Sequence, residues 1–291
     1  MEDKESITIR KAVINQAINY IFEHIDEDIT VEDVAKYCSY SKYHLTRMFK
    51  KDTDEALYQF IKRVRLERSA WRLKVEKERS ITEIGETYGY SSSNFATAFK
   101  KHLDISPADY RRSSEQMVED SSFSHGMTLD DLDDAGSKIT VESLAPFTVL
   151  YERKKGNYHN LSDEWCDFIE KYRYLATKDT LYIECTIDDP SITDEDGCMY
   201  ELCQTIIPDH PALKDHPEIL LHDFEGGKYA VYHFKGVPQL LFMVYQEIFC
   251  RWLSKTGNEL DERPIIDIYR KIEEDGYMEI DICFPLKTKL S

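Results

Sequence analysis

The chain has 291 residues and a formal net charge of −18, and it has no apolar run that approaches the length of a membrane span. Its length favours two domains, each large enough for a core of its own. The acidity argues against indiscriminate DNA binding, and the charged start M-E-D-K-E is unlike a signal peptide, so we expect a cytoplasmic protein that does not enter a membrane.

The first hundred residues show helical periodicity. A helix over about residues 9–24 is followed by a second over 31–38, a turn, and a third that begins after Ser41. In the third helix Leu45 and Phe49 mark a buried stripe, and the opposite face carries an aromatic side chain, hydroxyl donors and two cations without an acid. Such a face suits a major groove, although an ordinary solvated helix face is the alternative.

This pattern occurs twice. When the sequence is shifted by fifty positions, Tyr40 aligns with Tyr90 and Phe49 with Phe99 without a gap, and apolar positions align as well. Each copy begins with a capping residue, Thr30 or Ser80, that is followed three residues later by an acid. We therefore predict two helix-turn-helix units in an all-α domain over residues 1–112.

A candidate connecting helix over about residues 55–77 separates the copies, with one apolar side and one basic side. About twenty helical residues span about 30 Å, and successive major grooves on one DNA face lie about 34 Å apart. The connector could therefore hold two recognition helices one turn of DNA apart. The acids concentrate elsewhere, and residues 113–137 contain no Lys or Arg, which predicts an acidic linker.

Residues from about 11 to 112 resemble the DNA-binding domain of the AraC/XylS family of bacterial regulators. The second copy carries the signature G-Y-S-S-S-N-F-A-T-A-F-K-K-H followed by I-S-P-A-D-Y-R-R. The resemblance implies base contacts from the first helix, and mainly backbone contacts from the second, because Thr97 stands where members commonly have Arg. The candidate DNA-binding residues are Lys42, Tyr43, Thr46, Arg47, Lys50, Ser92, Ser93, Asn94, Thr97, Lys100 and Lys101.

From residue 138 to 291 the pattern changes to an α+β domain. In the first set, strands are expected over 139–144, 147–153, 181–187 and 200–207, with a helix over 161–175. In the second set, strands are expected over 228–235, 265–269 and 278–284, with a helix over 239–255. Strand-helix-strand-strand therefore occurs twice. Two such units predict one antiparallel sheet with two helices on a face.

The second domain is rich in tyrosine and is acidic, a composition that suits a lipophilic cation, although most of these aromatic side chains are needed for the core. Its stretches F-E-G-G-K-Y-A-V-Y-H-F-K-G and E-I-D-I-C-F-P-L-K resemble the GyrI-like effector-binding domain. The resemblance implies a pocket for amphipathic cationic or aromatic compounds, with Asp267 where members usually have Glu. A solvent-facing strand acid is the alternative for Asp267. The candidate effector-binding residues are Tyr151, Trp165, Tyr182, Tyr245, Trp252, Asp267 and Tyr269.

The sequence as a whole indicates a ligand-responsive transcription regulator. Its expected partners are double-stranded promoter DNA, a small-molecule effector and, by resemblance, RNA polymerase, and it is expected to act as a monomer or weak homodimer. We expect no catalytic residues, no metal site and no cofactor. The seven cysteines lack C-x-x-C spacing, and reduced thiols fit them better than a redox sensor does. A small-molecule hydrolase or a protein-binding module are the alternatives for the second domain.

Overall fold

The computed structural model describes residues 4–113, 139–156, 161–189, 191–216, 218–237, 241, 244, 245, 248, 252–261, 263–273 and 277–287. The chain divides into two compact units, Met1–Ser113 and Ser114–Ser291. The acidic linker expected at 113–137 falls, apart from its first residue, outside the described residues. Over the described ranges, no helix is both long enough and apolar enough to cross a membrane.

The first unit consists of helices only. Two pairs in it, α2–α3 and α5–α6, begin and end at positions fifty residues apart, so the predicted helix-turn-helix region is confirmed and a second helix pair repeats the spacing of the first. The helices are α1 (Lys4–Glu23), α2 (Val31–Tyr37), α3 (Lys42–Thr53), α4 (Leu57–Val75), α5 (Ile81–Thr87), α6 (Ser92–Leu103) and α7 (residues 107–113).

Local hydrogen bonds fix where each pair begins. Thr30 Oγ1 accepts from the Asp33 amide at 3.3 Å, and the Asp33 carboxylate accepts from the Thr30 amide at 2.8 Å. Ser80 and Glu83 repeat this capping box in the second pair, at 3.2 and 2.8 Å. Each box satisfies amides that a helix leaves without partners at its first turn.

The crossing of α5 and α6 depends on a glycine. A Cβ atom added to Gly85 would lie 2.7 Å from Cγ of Phe95, a ring that is fully buried. In the first pair the equivalent residues are Ala35 and Leu45, both buried. The small residue on the first helix of each pair is therefore matched in size to the large residue on the second.

The connector α4 corrects one expectation. Its predicted basic side does not form an open cationic surface, because Arg72 and Lys74 are buried and other cations bind within the unit. Arg63 contacts both Glu55 and Glu67, and Arg65 donates to two backbone carbonyls that follow α1. A buried charge is stable only when it is paired, and these cations take their partners from within the unit. They therefore stabilise the helical unit and are not offered to DNA.

The second unit contains one eight-stranded antiparallel sheet in the order β1-β6-β8-β7-β3-β4-β2-β5. Its strands are β1 (Ile139–Leu144), β2 (Phe147–Lys155), β3 (Tyr182–Thr186), β4 (Met199–Thr205), β5 (Leu220–Phe224), β6 (Gly227–Gly236), β7 (Ile265–Ile272) and β8 (Met278–Pro285). Helix α8 (Leu161–Tyr172) belongs to the first half. The helix expected over 239–255 lies largely outside the described residues, and α9 (Leu253–Thr256) is described at its end.

The two halves of the sheet exchange their outer strands. The first half consists of β2, β3 and β4, and the second of β6, β7 and β8. Strand β1 precedes β2 in the chain but pairs with β6, whereas β5 precedes β6 but pairs with β2. Strand β5 was not among the predicted strands. The halves meet at the centre, where β3 pairs with β7 and places Glu184 opposite Asp267.

The sheet separates two apolar clusters, because alternate side chains of a strand point to opposite faces. One cluster contains Leu150, Leu202 and the inner side of α8, with Tyr182 and Tyr269 packed against it. The other contains Val149, Tyr151 and Ile268. We call the first of these the helix face of the sheet.

Candidate functional site

The outer face of α3 is exposed as expected. Ser41 caps the helix by accepting from the His44 amide at 3.3 Å. The Tyr43 side chain is 77% exposed, and the Arg47 guanidinium lies 6.0 Å from the centre of its ring. Lys50 is exposed one turn further along. Arginine and tyrosine are thus presented together, in the arrangement that can contact base edges in a major groove.

Two other predicted residues of α3 are less available. Thr46 is half-buried. Lys42 forms an ion pair with Glu32 of α2, and the hydrogen bond from Lys42 lowers the pKa of that carboxyl. Both members of the pair are exposed, so the pair contributes little to stability and a DNA phosphate could compete for the lysine.

Helix α6 presents a different surface. Its first turn exposes Ser92, Ser93 and Asn94, and the Thr97 hydroxyl donates to the carbonyl of Ser93 at 3.0 Å, so its proton is already used. Short hydroxyl and amide side chains reach less far than arginine. This surface therefore agrees with the expectation that α6 reads little sequence.

The last turns of α6 form a basic depression. Its volume is about 490 Å³, and Lys100 and Lys101 border it together with Ala96, Thr97 and Ser106. Both lysines are exposed. The Thr97 and Ser106 hydroxyls already donate to Ser93 and Asp109, so the two exposed lysines are the groups suited to a phosphate, which is contacted irrespective of base sequence.

In the second unit, Asp267 lies in the interior of the sheet. Its side chain points from β7 to the helix face of the sheet and is only 4% exposed. Both carboxylate oxygens accept from the Tyr245 hydroxyl, at 2.7 and 2.6 Å. Burial raises the pKa of Asp267 to about 7, and the hydrogen bond from Tyr245 partly opposes this rise. The solvent-facing alternative for this acid is therefore wrong.

Glu184 was missed by the sequence analysis. It lies opposite Asp267 across the β3–β7 pair, is also 4% exposed, and accepts from the Tyr269 hydroxyl at 2.7 Å. Burial and then the charge of Asp267 raise the pKa of Glu184 to about 8. The available signal was its alternation with Tyr182, since both side chains point to one face.

Four aromatic side chains belong to the same cluster as the two acids, and two of them, Tyr245 and Tyr269, donate to the acids. The Trp165 ring of α8 lies 5.2 Å from that of Tyr269 and 6.2 Å from that of Tyr182, both at steep angles. The structure thus brings five predicted residues together around the missed Glu184. We call this set the acid–aromatic cluster, and its members are Trp165, Tyr182, Glu184, Tyr245, Asp267 and Tyr269.

Two predicted effector residues lie elsewhere. Tyr151 is buried in the cluster on the opposite face of the sheet, where the Arg153 guanidinium lies 5.7 Å from its ring centre, so it does not join the acid–aromatic cluster. Alternation along β2 turns Tyr151 away from the helix face. Trp252 is half-buried just before α9, and its role stays a prediction.

In the described part of the chain, the two acids of the acid–aromatic cluster have tyrosines rather than basic residues as hydrogen-bond partners. Within the part of the chain that the structure describes, Glu184 and Asp267 receive hydrogen bonds from tyrosines, and no Lys, Arg or His forms an ion pair with either. Two adjacent buried carboxyl groups favour a cation or a proton between them. Aromatic faces beside them add cation–π attraction for an organic cation.

Two family models match the chain. The family model described as a GyrI-like small molecule binding domain matches residues 137–287, and that of a helix-turn-helix domain matches residues 34–113. The regulatory protein SoxS of Salmonella typhimurium is 38% identical over 100 residues, which cover 34% of this chain and 92% of SoxS. The multiple antibiotic resistance protein MarA of Escherichia coli is 34% identical over 104 residues, which cover 35% of this chain and 81% of MarA.

A solved structure, the C-terminal domain of the response regulator AraT from Geobacillus stearothermophilus, is 35% identical and covers 35% of this chain and 84% of that chain, with a TM-score of 0.33. The GyrI-like match includes more than half of this chain, and SoxS and MarA are each covered over most of their length. The protein therefore belongs to the AraC/XylS family of DNA-binding transcription regulators and carries a GyrI-like small-molecule-binding domain.

Proposed function

We propose that this protein is a ligand-responsive regulator that binds promoter DNA with both helix pairs and senses an amphipathic organic cation at the acid–aromatic cluster. The observation that carries the ligand class is the pair of buried acids in one cluster with four aromatic side chains. Binding alters transcription if the cation has different affinities for two states of the protein. RNA polymerase is the proposed partner for activation, and the protein acts as a monomer or weak homodimer.

On DNA, the two recognition helices have unequal roles. Helix α3 reads bases through Tyr43 and Arg47, because it presents the long donor and the exposed ring. Helix α6 positions the duplex through Lys100 and Lys101, which border the basic depression. The 19 residues of α4 span about 30 Å, close to the 34 Å between successive major grooves.

A gel-shift titration at several salt concentrations tests this division. Arg47→Ala should remove most of the preference for the operator over random DNA, because base contacts specify. Lys101→Ala should weaken both complexes about equally and lower the slope of log affinity against log salt by about 1. Equal loss of preference in the two variants contradicts the role given to α3.

For the effector, the test compares a cation with a neutral molecule of similar shape. Asp267→Asn should weaken binding of tetraphenylphosphonium by at least tenfold and leave that of triphenylphosphine oxide within about twofold, because the charge attraction is lost and the apolar surface is kept. Leu202→Met, a change of similar volume on the same face, serves as the control. Equal losses for both ligands in calorimetry contradict a cationic effector.

A further inference from the structure

Glu184 and Asp267 form a pair with unusual surroundings. They stand in register on the two central strands, point to the same face, and are both almost completely buried. Each already accepts a hydrogen bond from a tyrosine hydroxyl. Two adjacent carboxylates in a water-poor site repel each other, so one of them retains a proton when no cation is present.

The other titratable groups around the pair do not relieve this repulsion. Tyr245 and Tyr269 donate to the acids. Tyr200 of β4, on the helix face, and Cys283 of β8, on the opposite face of the sheet, interact with the pair only electrostatically. Each of these four groups is neutral in its protonated form. From α8, Glu164 faces Tyr200 and lies 3.8 Å from Lys154, so it brings no positive charge to the pair.

We propose that Glu184 is a second effector-binding residue, and that the Glu184–Asp267 pair shares a proton which the effector cation displaces. This inference rests on the proposed function, since it concerns the same ligand. In the exchange, one carboxyl O–H bond breaks, the proton leaves to solvent, and the carboxylate keeps the electron pair. The cation then compensates the charge, and no bond within the ligand changes.

Exchange makes recognition depend on pH in a defined direction. A permanent cation competes with the proton, so its affinity rises with pH by up to tenfold per unit until the pair is ionised. A neutral ligand of the same shape releases no proton and lacks this dependence. The site therefore discriminates best between the two ligands in alkaline solution.

The test is calorimetry of the full chain with tetraphenylphosphonium from pH 6 to pH 9, in buffers that differ in ionisation enthalpy. The wild type should release about one proton per cation at pH 6 and progressively less towards pH 9. Glu184→Gln should still bind through Asp267 and should release far fewer protons than the wild type near pH 8, where Asp267 alone is already ionised but the pair still retains a proton. Glu279→Gln, which changes a half-buried acid of β8 that pairs with Lys235, should match the wild type.

The outcomes separate this inference from the proposed function. Cation binding without proton release, or a Glu184→Gln variant with the pH dependence of the wild type, overturns proton exchange and leaves the effector class intact. If the cation does not bind at any pH, the effector class fails. Infrared spectroscopy of the ligand-free protein then tests whether the pair shares a proton. A carbonyl band of a protonated carboxyl at pH 6 that changes in both Glu184→Gln and Asp267→Asn supports the shared proton, and the absence of this band refutes it.

Discussion

Substitution of Gly85 by alanine should destabilise the second helix pair through a single contact. The new Cβ would lie 2.7 Å from Cγ, 2.9 Å from Cδ1 and 3.0 Å from Cβ of Phe95, whose buried ring has no room to retreat. Overpacking of this severity costs about 3 kcal/mol, and alanine returns about 1 kcal/mol of helix propensity. We therefore expect the free energy of unfolding of this helix pair to fall by about 2 kcal/mol.

The first helix pair supplies the matched rescue. The double variant Gly85→Ala, Phe95→Leu recreates the combination of Ala35 and Leu45 at the equivalent crossing. Phe95→Leu alone should cost about 1 kcal/mol through lost packing. Because the smaller side chain makes room for the new methyl group, the double variant should be no less stable than Phe95→Leu alone.

Amide hydrogen exchange of α5 and α6 peptides in the full chain measures these differences where they arise. The α2 and α3 peptides serve as the internal reference. Additive losses in the double variant refute the size-matching argument, because they show that the contact between residues 85 and 95 is not the source of the destabilisation.

Three further predictions concern caps, protonation and a hydroxyl. Ser80→Ala should cost about 1 kcal/mol in the same exchange experiment, whereas Ser91→Ala, at a cap without a side-chain hydrogen bond, should be nearly neutral. Burial raises the pKa of Glu184 above its value in the unfolded chain, so protonation of Glu184 favours the folded state. This contribution to stability is complete in acid and is lost as the pH rises towards 8. Urea unfolding should therefore show a smaller loss of stability from pH 5 to pH 8 in Glu184→Gln than in the wild type, and an equal loss contradicts the raised pKa. Tyr245→Phe should raise the pKa of Asp267 further, because the hydroxyl that stabilises its charge is removed, and an unchanged carboxyl titration followed by infrared spectroscopy contradicts this role.

The repeated helix pairs could be predicted because their signals are local. A capping box involves residues three positions apart, and the buried stripe of α3 involves Leu45 and Phe49 within one turn. The environment of the α4 cations could not be obtained in the same way. Arg65 binds backbone carbonyls of Glu27 and Ile29, far away in the sequence, and no helical period encodes such a partner.

Only part of the acid–aromatic cluster could be predicted, because only part of its signal is local. Alternation placed Asp267 and Tyr269 on one strand face, as the structure has them. Alternation does not identify which face is covered by a helix, and Tyr151 lies on the face opposite the acids. Glu184 required the register between β3 and β7, which depends on the assembled sheet rather than on either strand alone.

The exchange of outer strands makes each half of the second unit incomplete by itself. A piece that ends after β4 would retain β1 without β6 to bind it, and would leave the edge of β2 that β5 covers open to other chains. Cutting the chain in the segment between β4 and β5 should consequently give two fragments that aggregate separately but reassemble when mixed. Duplication thus produced a domain whose halves recognise each other through backbone hydrogen bonds at both outer edges as well as at the centre.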